Sequence, residues 1–123
     1  MTKEHIQDKG TKLLSEIIGA QLSSVQFVMD YLILGFDAKG ALTTLVWPEI
    51  MSSEPTIKFG MPGYRDSLCD LITKVVDEIE ITSDETIVIG FDSEVRLAIP
   101  LRTYEHSGER VIFTTPTNRL MAW

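Results

Sequence analysis

One cysteine, two histidines and no long apolar run define what this chain lacks. A lone thiol forms no disulfide within the chain and suits a reducing compartment, and no CxxC pair is present for zinc or redox work. GxGxxG, the phosphate loop, HExxH and GxSxG are also missing, which removes the common signatures of dinucleotide, phosphate, zinc-hydrolase and acyl-transfer chemistry. The expectation is a non-enzyme with no cofactor and no metal. No apolar stretch reaches the ~18 residues of a membrane span. The opening MTKEHIQDKG is polar and mixed in charge, unlike a secretory leader, so a cytoplasmic location is expected. Basic residues are also scarce. Eleven Lys and Arg face eighteen Asp and Glu, giving a net charge of −7, which argues against direct binding of nucleic acid or an anionic membrane.

What is present is the composition of one ordinary globular domain. The 123 residues are 44% apolar and 24% charged, enough for a single core spanning residues 1–123 without disulfide or metal support. The negative charge is local. Between Asp77 and Glu94 lie Asp77, Glu78, Glu80, Asp84, Glu85, Asp92 and Glu94 with no Lys or Arg, so these seven acids equal the whole net charge. A field concentrated on so short a segment can steer a basic partner. The same charges on a sheet edge would also block edge-to-edge pairing.

The chain also resembles itself at a period near 55 residues. Leu32-Ile33-Leu34-Gly35-Phe36-Asp37 aligns with Ile87-Val88-Ile89-Gly90-Phe91-Asp92, Val25 and Phe27 with Ile79 and Ile81, and Pro48 and Pro100 each close an apolar run. Each copy reads as a helix followed by three strands. Tyr64, Leu68, Leu71, Ile72, Val75 and Val76 recur at helical spacing and predict a helix over 64–77 behind the Pro62-Gly63 turn. Leu13, Leu14, Ile17 and Ile18 make the corresponding first stripe. Alternation at 24–27 and 78–81 predicts half-buried strands with the acids outward. The nearly all-apolar runs 31–36 and 86–91 predict central strands covered on both faces, and third strands follow at 41–47 and 95–101. The expected architecture is α+β: tandem αβββ repeats, about residues 11–50 and 64–103, forming one mostly antiparallel, curved sheet of six or seven strands with helices on one face. Residues 104–123 form an extension in which 111–115 predict a seventh strand, and the apolar Leu120 to Trp123 tail must dock on the core or on a second subunit.

Individual reactive residues offer little. His5 falls in a polar N-terminal segment and His106 in a Glu-His-Ser-Gly turn, where an exposed turn residue explains it as well as a general base does. Cys69 lies beside the second apolar stripe with Asp66 and Asp70 nearby, so an inert buried thiol is expected. Asp92-Ser-Glu94 and Ser83-Asp84-Glu85 supply two carboxylates each, short of a calcium-loop pattern. Trp47, Met51, Phe59, Met61 and Tyr64 gather around the 51–63 connection, suited to sealing the junction of the halves or to receiving a partner.

Ser24-Val-Gln-Phe27, Asp30-Tyr-Leu-Ile-Leu34, Gly63-Tyr-Arg-Asp-Ser-Leu-Cys69 and the second Ile-Gly-Phe-Asp block resemble a family of small uncharacterised bacterial α+β proteins, over about residues 14–109. In size, acidity and absence of catalytic motifs the chain is similar in kind to immunity proteins of bacterial toxin systems, including contact-dependent inhibition. That resemblance implies a cytosolic binder whose acidic strand-and-turn surface, residues Asp77, Glu78, Glu80, Asp84, Glu85, Asp92 and Glu94, meets a basic protein such as a toxin nuclease domain. Two readings stand beside it. One is a small-molecule binder or enzyme with a pocket between sheet and helices using Tyr64, Arg65 and His106. The other is a structural homo-oligomer, such as a homodimer, joined through the C-terminal tail.

Overall fold

A computed structural model describes residues 12–52, 55–102 and 108–123; His5 and His106 lie outside them. Among the described residues, nine strands form two antiparallel sheets. The first half supplies β1 (Ser24–Val28), β2 (Tyr31–Gly35), β3 (Ala41–Thr44) and β4 (Glu49–Met51); a short helix, α1 (Tyr64–Cys69), follows. The second half supplies β5 (Val76–Ile81), β6 (Thr86–Phe91), β7 (Arg96–Pro100), β8 (Val111–Thr114) and β9 (Leu120–Ala122). One sheet has the order β1-β2-β3-β8-β9 and the other β4-β7-β6-β5.

The strand positions follow the alternation in the sequence. Val28 and Tyr31 pair across the tight Met29-Asp30 turn, which sets the β1–β2 register. At the β2–β3 turn the Phe36 N–H bonds the Gly40 carbonyl at 2.9 Å, and at the β6–β7 turn the Phe91 N–H bonds the Val95 carbonyl at 2.9 Å. Leu32, Leu34, Leu42, Val111 and Phe113 of one sheet and Ile87, Ile89, Phe91, Leu97 and Ile99 of the other belong to a single buried cluster with Leu14, Ile17, Tyr64, Leu68 and Leu71. Both sheets therefore share one core. It is the burial of these side chains, worth about 1.5–3 kcal/mol each, that holds the layers together.

The single curved sheet expected from the sequence is replaced by two. The free edge of β3 is taken by β8, and that of β7 by β4, so each three-stranded meander is extended by a strand from the opposite half of the chain. The two meanders consequently never pair with each other. The helices do not form a layer over one face either: α1 lies against β1 and β4, and a 3-10 turn at Ser15–Ile17 lies against β5. The helix expected over 64–77 stops at Cys69. Thr73 has a left-handed φ of 85°, its N–H bonds the Leu22 carbonyl, and Val76 has already joined β5. The β-branched Thr73, Val75 and Val76 suit that extended course better than a helix. Cys69 is exposed, because the helix ends there with its buried face formed by Tyr64 and Leu68. Along β2 and β6 the inner residues are buried while Tyr31, Ile33, Thr86 and Val88 stay half-exposed, so these strands are central in their sheets yet covered on one face only.

The tail closes the fold. β9 pairs with β8, the Trp123 N–H bonds the Val111 carbonyl at 2.9 Å, and Trp123 packs against the core. The Leu120 to Trp123 segment is thus docked within its own chain.

Candidate functional site

The acidic surface is built by β5, β6 and β7. On β5, Val76 is buried and Ile79 and Ile81 pack against the core, while Glu78 and Glu80 face solvent. A register shift between Val76 and Glu78 inserts Asp77 as an extra exposed residue. Glu78, Gly90 and Arg96 stand in one row across the three strands. Gly90 leaves the space between them open, and the Arg96 guanidinium donates to the Glu78 carboxylate over it. A methyl group on Gly90 would lie 3.1 Å from Arg96 Nη1 and 3.2 Å from Asp77 Oδ1. A side chain at position 90 would therefore crowd the cross-strand ion pair.

Asp77, Glu78, Asp92, Glu94, Arg96 and Phe91 line an open depression of about 540 Å³ at this end of the sheet. Four carboxylates and one guanidinium border it, leaving three negative charges in excess. The hydrogen bond that Arg96 donates to Glu78, the charge of Glu78, and the further charges of Asp77 and Glu80 raise the Arg96 pKa above its ordinary value, so the arginine stays cationic. Asp92 also has a structural duty, since its Oδ1 accepts the Val75 N–H at 3.2 Å.

The seven acids expected to form one plate do not lie together. Asp77, Glu78, Asp92 and Glu94 converge, and Glu80 sits two residues along β5, opposite Val88. Asp84 and Glu85 occupy the other end of the β5–β6 hairpin, about 17 Å away at strand rise. There the Thr82 hydroxyl bonds Asp84, and Glu85 accepts from Arg102 at 2.8 and 3.1 Å. Reading the sequence alone missed Arg96 and Arg102. Both lie just beyond the acid-only stretch in the chain but beside it in space, and the signal for Arg96 was the outward phase of its strand.

A second concavity of about 470 Å³ is lined by residues 59–66. Phe59 stacks on Trp47 at 4.3 Å and meets Tyr64 edge-on at 5.7 Å. Tyr64 is buried and its hydroxyl donates to the Pro48 carbonyl at 2.5 Å, while Arg65 is exposed. Burial, and secondarily the charge of Glu49, raises the Tyr64 pKa above its ordinary value. Tyr64 and Arg65 thus share this groove, but the tyrosine hydroxyl is engaged by backbone. Among the described residues, no three or more His, Cys, Asp or Glu side chains are arranged to hold a metal ion, and no helix is long and apolar enough to cross a membrane.

The fold and site together define a small α+β chain of two antiparallel sheets carrying an anionic cradle. No family model, curated protein or solved structure matches it.

Proposed function

We propose that this protein is a non-catalytic protein-binding module that receives a basic partner in the cradle formed by Asp77, Glu78, Asp92 and Glu94, with Glu80 extending the field along β5. The observation that carries this reading is that four exposed acids border one open depression with Arg96 as the cation among its lining residues. Arg96 holds Glu78 in place, and the excess negative charge is left to attract a lysine or arginine from outside. Asp84 and Glu85, half satisfied by Arg102 and Thr82, add a weaker second anionic point. The most specific form of the proposal is a cytosolic immunity protein that occludes the cationic cleft of a cognate bacterial toxin, a nuclease of a contact-dependent inhibition system being the best fit. Nuclease clefts are basic because their substrate is a polyanion, so a folded acidic surface is a natural competitor there.

The architecture beneath this surface is read as two copies of one αβββ unit. Its support is local. Gln21 and Val75, 54 residues apart, bridge each other, and their N–H groups are bonded by the carboxylates of Asp37 and Asp92, 55 residues apart. The Phe36 and Phe91 turns carry the same pair of backbone hydrogen bonds.

The test is capture from a source-cell extract on the immobilised full chain, at low and high salt, beside an Asp77→Asn/Glu78→Gln/Glu94→Gln variant. A basic protein retained by the wild type at low salt and lost by the variant is expected; identical captures by both chains would refute the cradle.

A further inference from the structure

The four sheet edges are not equally protected. β9 has only three residues, Leu120–Ala122. β4 also has three, and beyond it Ile50 exchanges two 2.9 Å backbone bonds with Ile57. β5 is six residues long but is bulged at Asp77 and carries Asp77, Glu78 and Glu80. These are the usual means of blocking strand addition. β1 is neither shortened, bulged, charged nor extended by a further strand, and α1, which lies against it, lies equally against β4 of the other sheet. The five residues of β1, Ser24-Val-Gln-Phe-Val28, carry no charge and no proline, keep an unbroken register with β2, and among the described residues pair with β2 alone.

The backbone polarity of this edge can be deduced. The Phe36 N–H bonds the Gly40 carbonyl, so Leu32 and Leu34 face β3, and Tyr31, Ile33 and Gly35 bond β1 through Val28, Gln26 and Ser24. Val25 and Phe27 therefore turn their N–H and C=O groups away from the sheet. Their side chains pack against the core but remain partly exposed, as expected where the next strand is missing, and Gln26 between them is exposed.

We propose that β1 is a self-pairing edge: two copies of this chain join antiparallel about Gln26, making one continuous ten-stranded sheet across a two-fold axis. In that register Val25 of each copy lies opposite Phe27 of the other and exchanges both backbone hydrogen bonds with it, and a β-branched residue beside an aromatic one is a favourable cross-strand pair. Gln26 meets its own counterpart, amide to amide. A second copy is the occupant favoured by this symmetry, because the strand is complementary to itself and the contact closes as a dimer. The charge distribution agrees. The acidic β5–β7 surface belongs to the other sheet, so the edge that pairs is the one remote in the topology from the greatest repulsion. The proposal stands independently of any partner in the anionic cradle.

Sedimentation of the full chain across micromolar to submillimolar concentrations tests it. A species of twice 13.8 kDa, forming with concentration, is expected. Gln26→Lys puts two ammonium groups face to face at the axis and should weaken dimerisation roughly tenfold or more. In a Cys69→Ser background, Gln26→Cys should oxidise to a covalent dimer, since residues opposed without hydrogen bonds lie about 4.5 Å apart at Cα. Circular dichroism of both variants should match the wild type, because Gln26 is exposed. A monomer at every concentration, or a dimer indifferent to both substitutions, would overturn the proposal.

Discussion

Gly40 shows how much of this fold rests on single positions. Its φ is +132°, and a methyl group there would lie 2.5 Å from the Thr114 carbonyl oxygen of β8 and 3.1 Å from the Phe113 ring. A backbone oxygen cannot move aside as a flexible side chain can, so Gly40→Ala should cost about 2 kcal/mol, seen as a lowered urea midpoint. Tyr64 contributes through a different route. Its buried hydroxyl donates to Pro48, and Tyr64→Phe should cost about 1 kcal/mol at neutral pH. Because burial raises its pKa above 10.0, the folded protein holds this proton more tightly than the unfolded chain does. The associated stability is complete below the unfolded value and is lost as pH rises through the folded one. Urea unfolding above pH 10 should therefore show a shallower alkaline loss in the phenylalanine variant than in the wild type; equal slopes would mean that the phenol is not the titrating group. At this scale the sequence is partly legible. The Gly-Phe-Asp blocks announce a strand end, and burial of Phe36 and Phe91 follows from their apolar runs. The partners of the two aspartates, Gln21 and Val75, were not legible, because each bond spans about 16 residues of intervening fold.

Elements are legible where their signal is local. The alternation expected at 24–27 and 78–81 and the apolar runs expected at 31–36 and 86–91 coincide with β1, β5, β2 and β6 to within a residue or two at their ends, since residue period and tight turns determine them together. Which strand joins which is a different question. That β4 would leave its own meander for β7, and β8 return to β3, depends on edges that exist only after both meanders have formed. Helix length failed for a related reason: the periodic stripe at 64–76 contains two populations, a helical Tyr64 and Leu68 and a strand-bound Val76, joined by the left-handed Thr73. β9 is the element whose worth is easiest to measure. Its three residues hydrogen-bond β8, and the half-buried Trp123 behind them packs on the core while its carbonyl accepts the Arg110 N–H. Trp123→Ala should cost about 2 kcal/mol, less than a fully buried aromatic, and lower the thermal midpoint by several degrees. If the β1 edge makes the dimer, this loss leaves subunit mass in solution unchanged; a fall to monomer would return the interface to the tail.

For the whole molecule, the decisive feature is that charge and packing are separated. Among the described residues the buried polar side chains are Thr44 and Thr115, neither of them ionised, and the cradle carboxylates are exposed beside a sheet whose inner face supplies Ile87, Ile89, Leu97 and Ile99. The composition showed that the acids were concentrated; it did not show that the β5–β6 hairpin would carry them to opposite ends, nor that Arg96 and Arg102 would stand beside them, because linear charge counts ignore neighbours across strands. Stability and recognition should consequently respond to different substitutions. Exposed ion pairs contribute about 0–1 kcal/mol, so Asp77→Asn, Glu78→Gln and Glu94→Gln together should leave the thermal midpoint within a few degrees of wild type. The same triple change removes three of the four cradle charges and, with a basic partner, should slow association by roughly tenfold at low ionic strength while changing dissociation less. Raising salt should slow the wild type steeply and the variant only slightly, since screening acts on charges the variant no longer has. Asp92 is kept out of this set because its carboxylate also holds the Val75 N–H, and its loss would mix folding with binding. Stopped-flow association at several salt concentrations, read beside thermal melts of the same preparations, separates the two. Parallel salt dependences for wild type and variant would place the partner elsewhere on the surface, and a collapse in the melting temperature would show that these acids hold the fold rather than face a ligand.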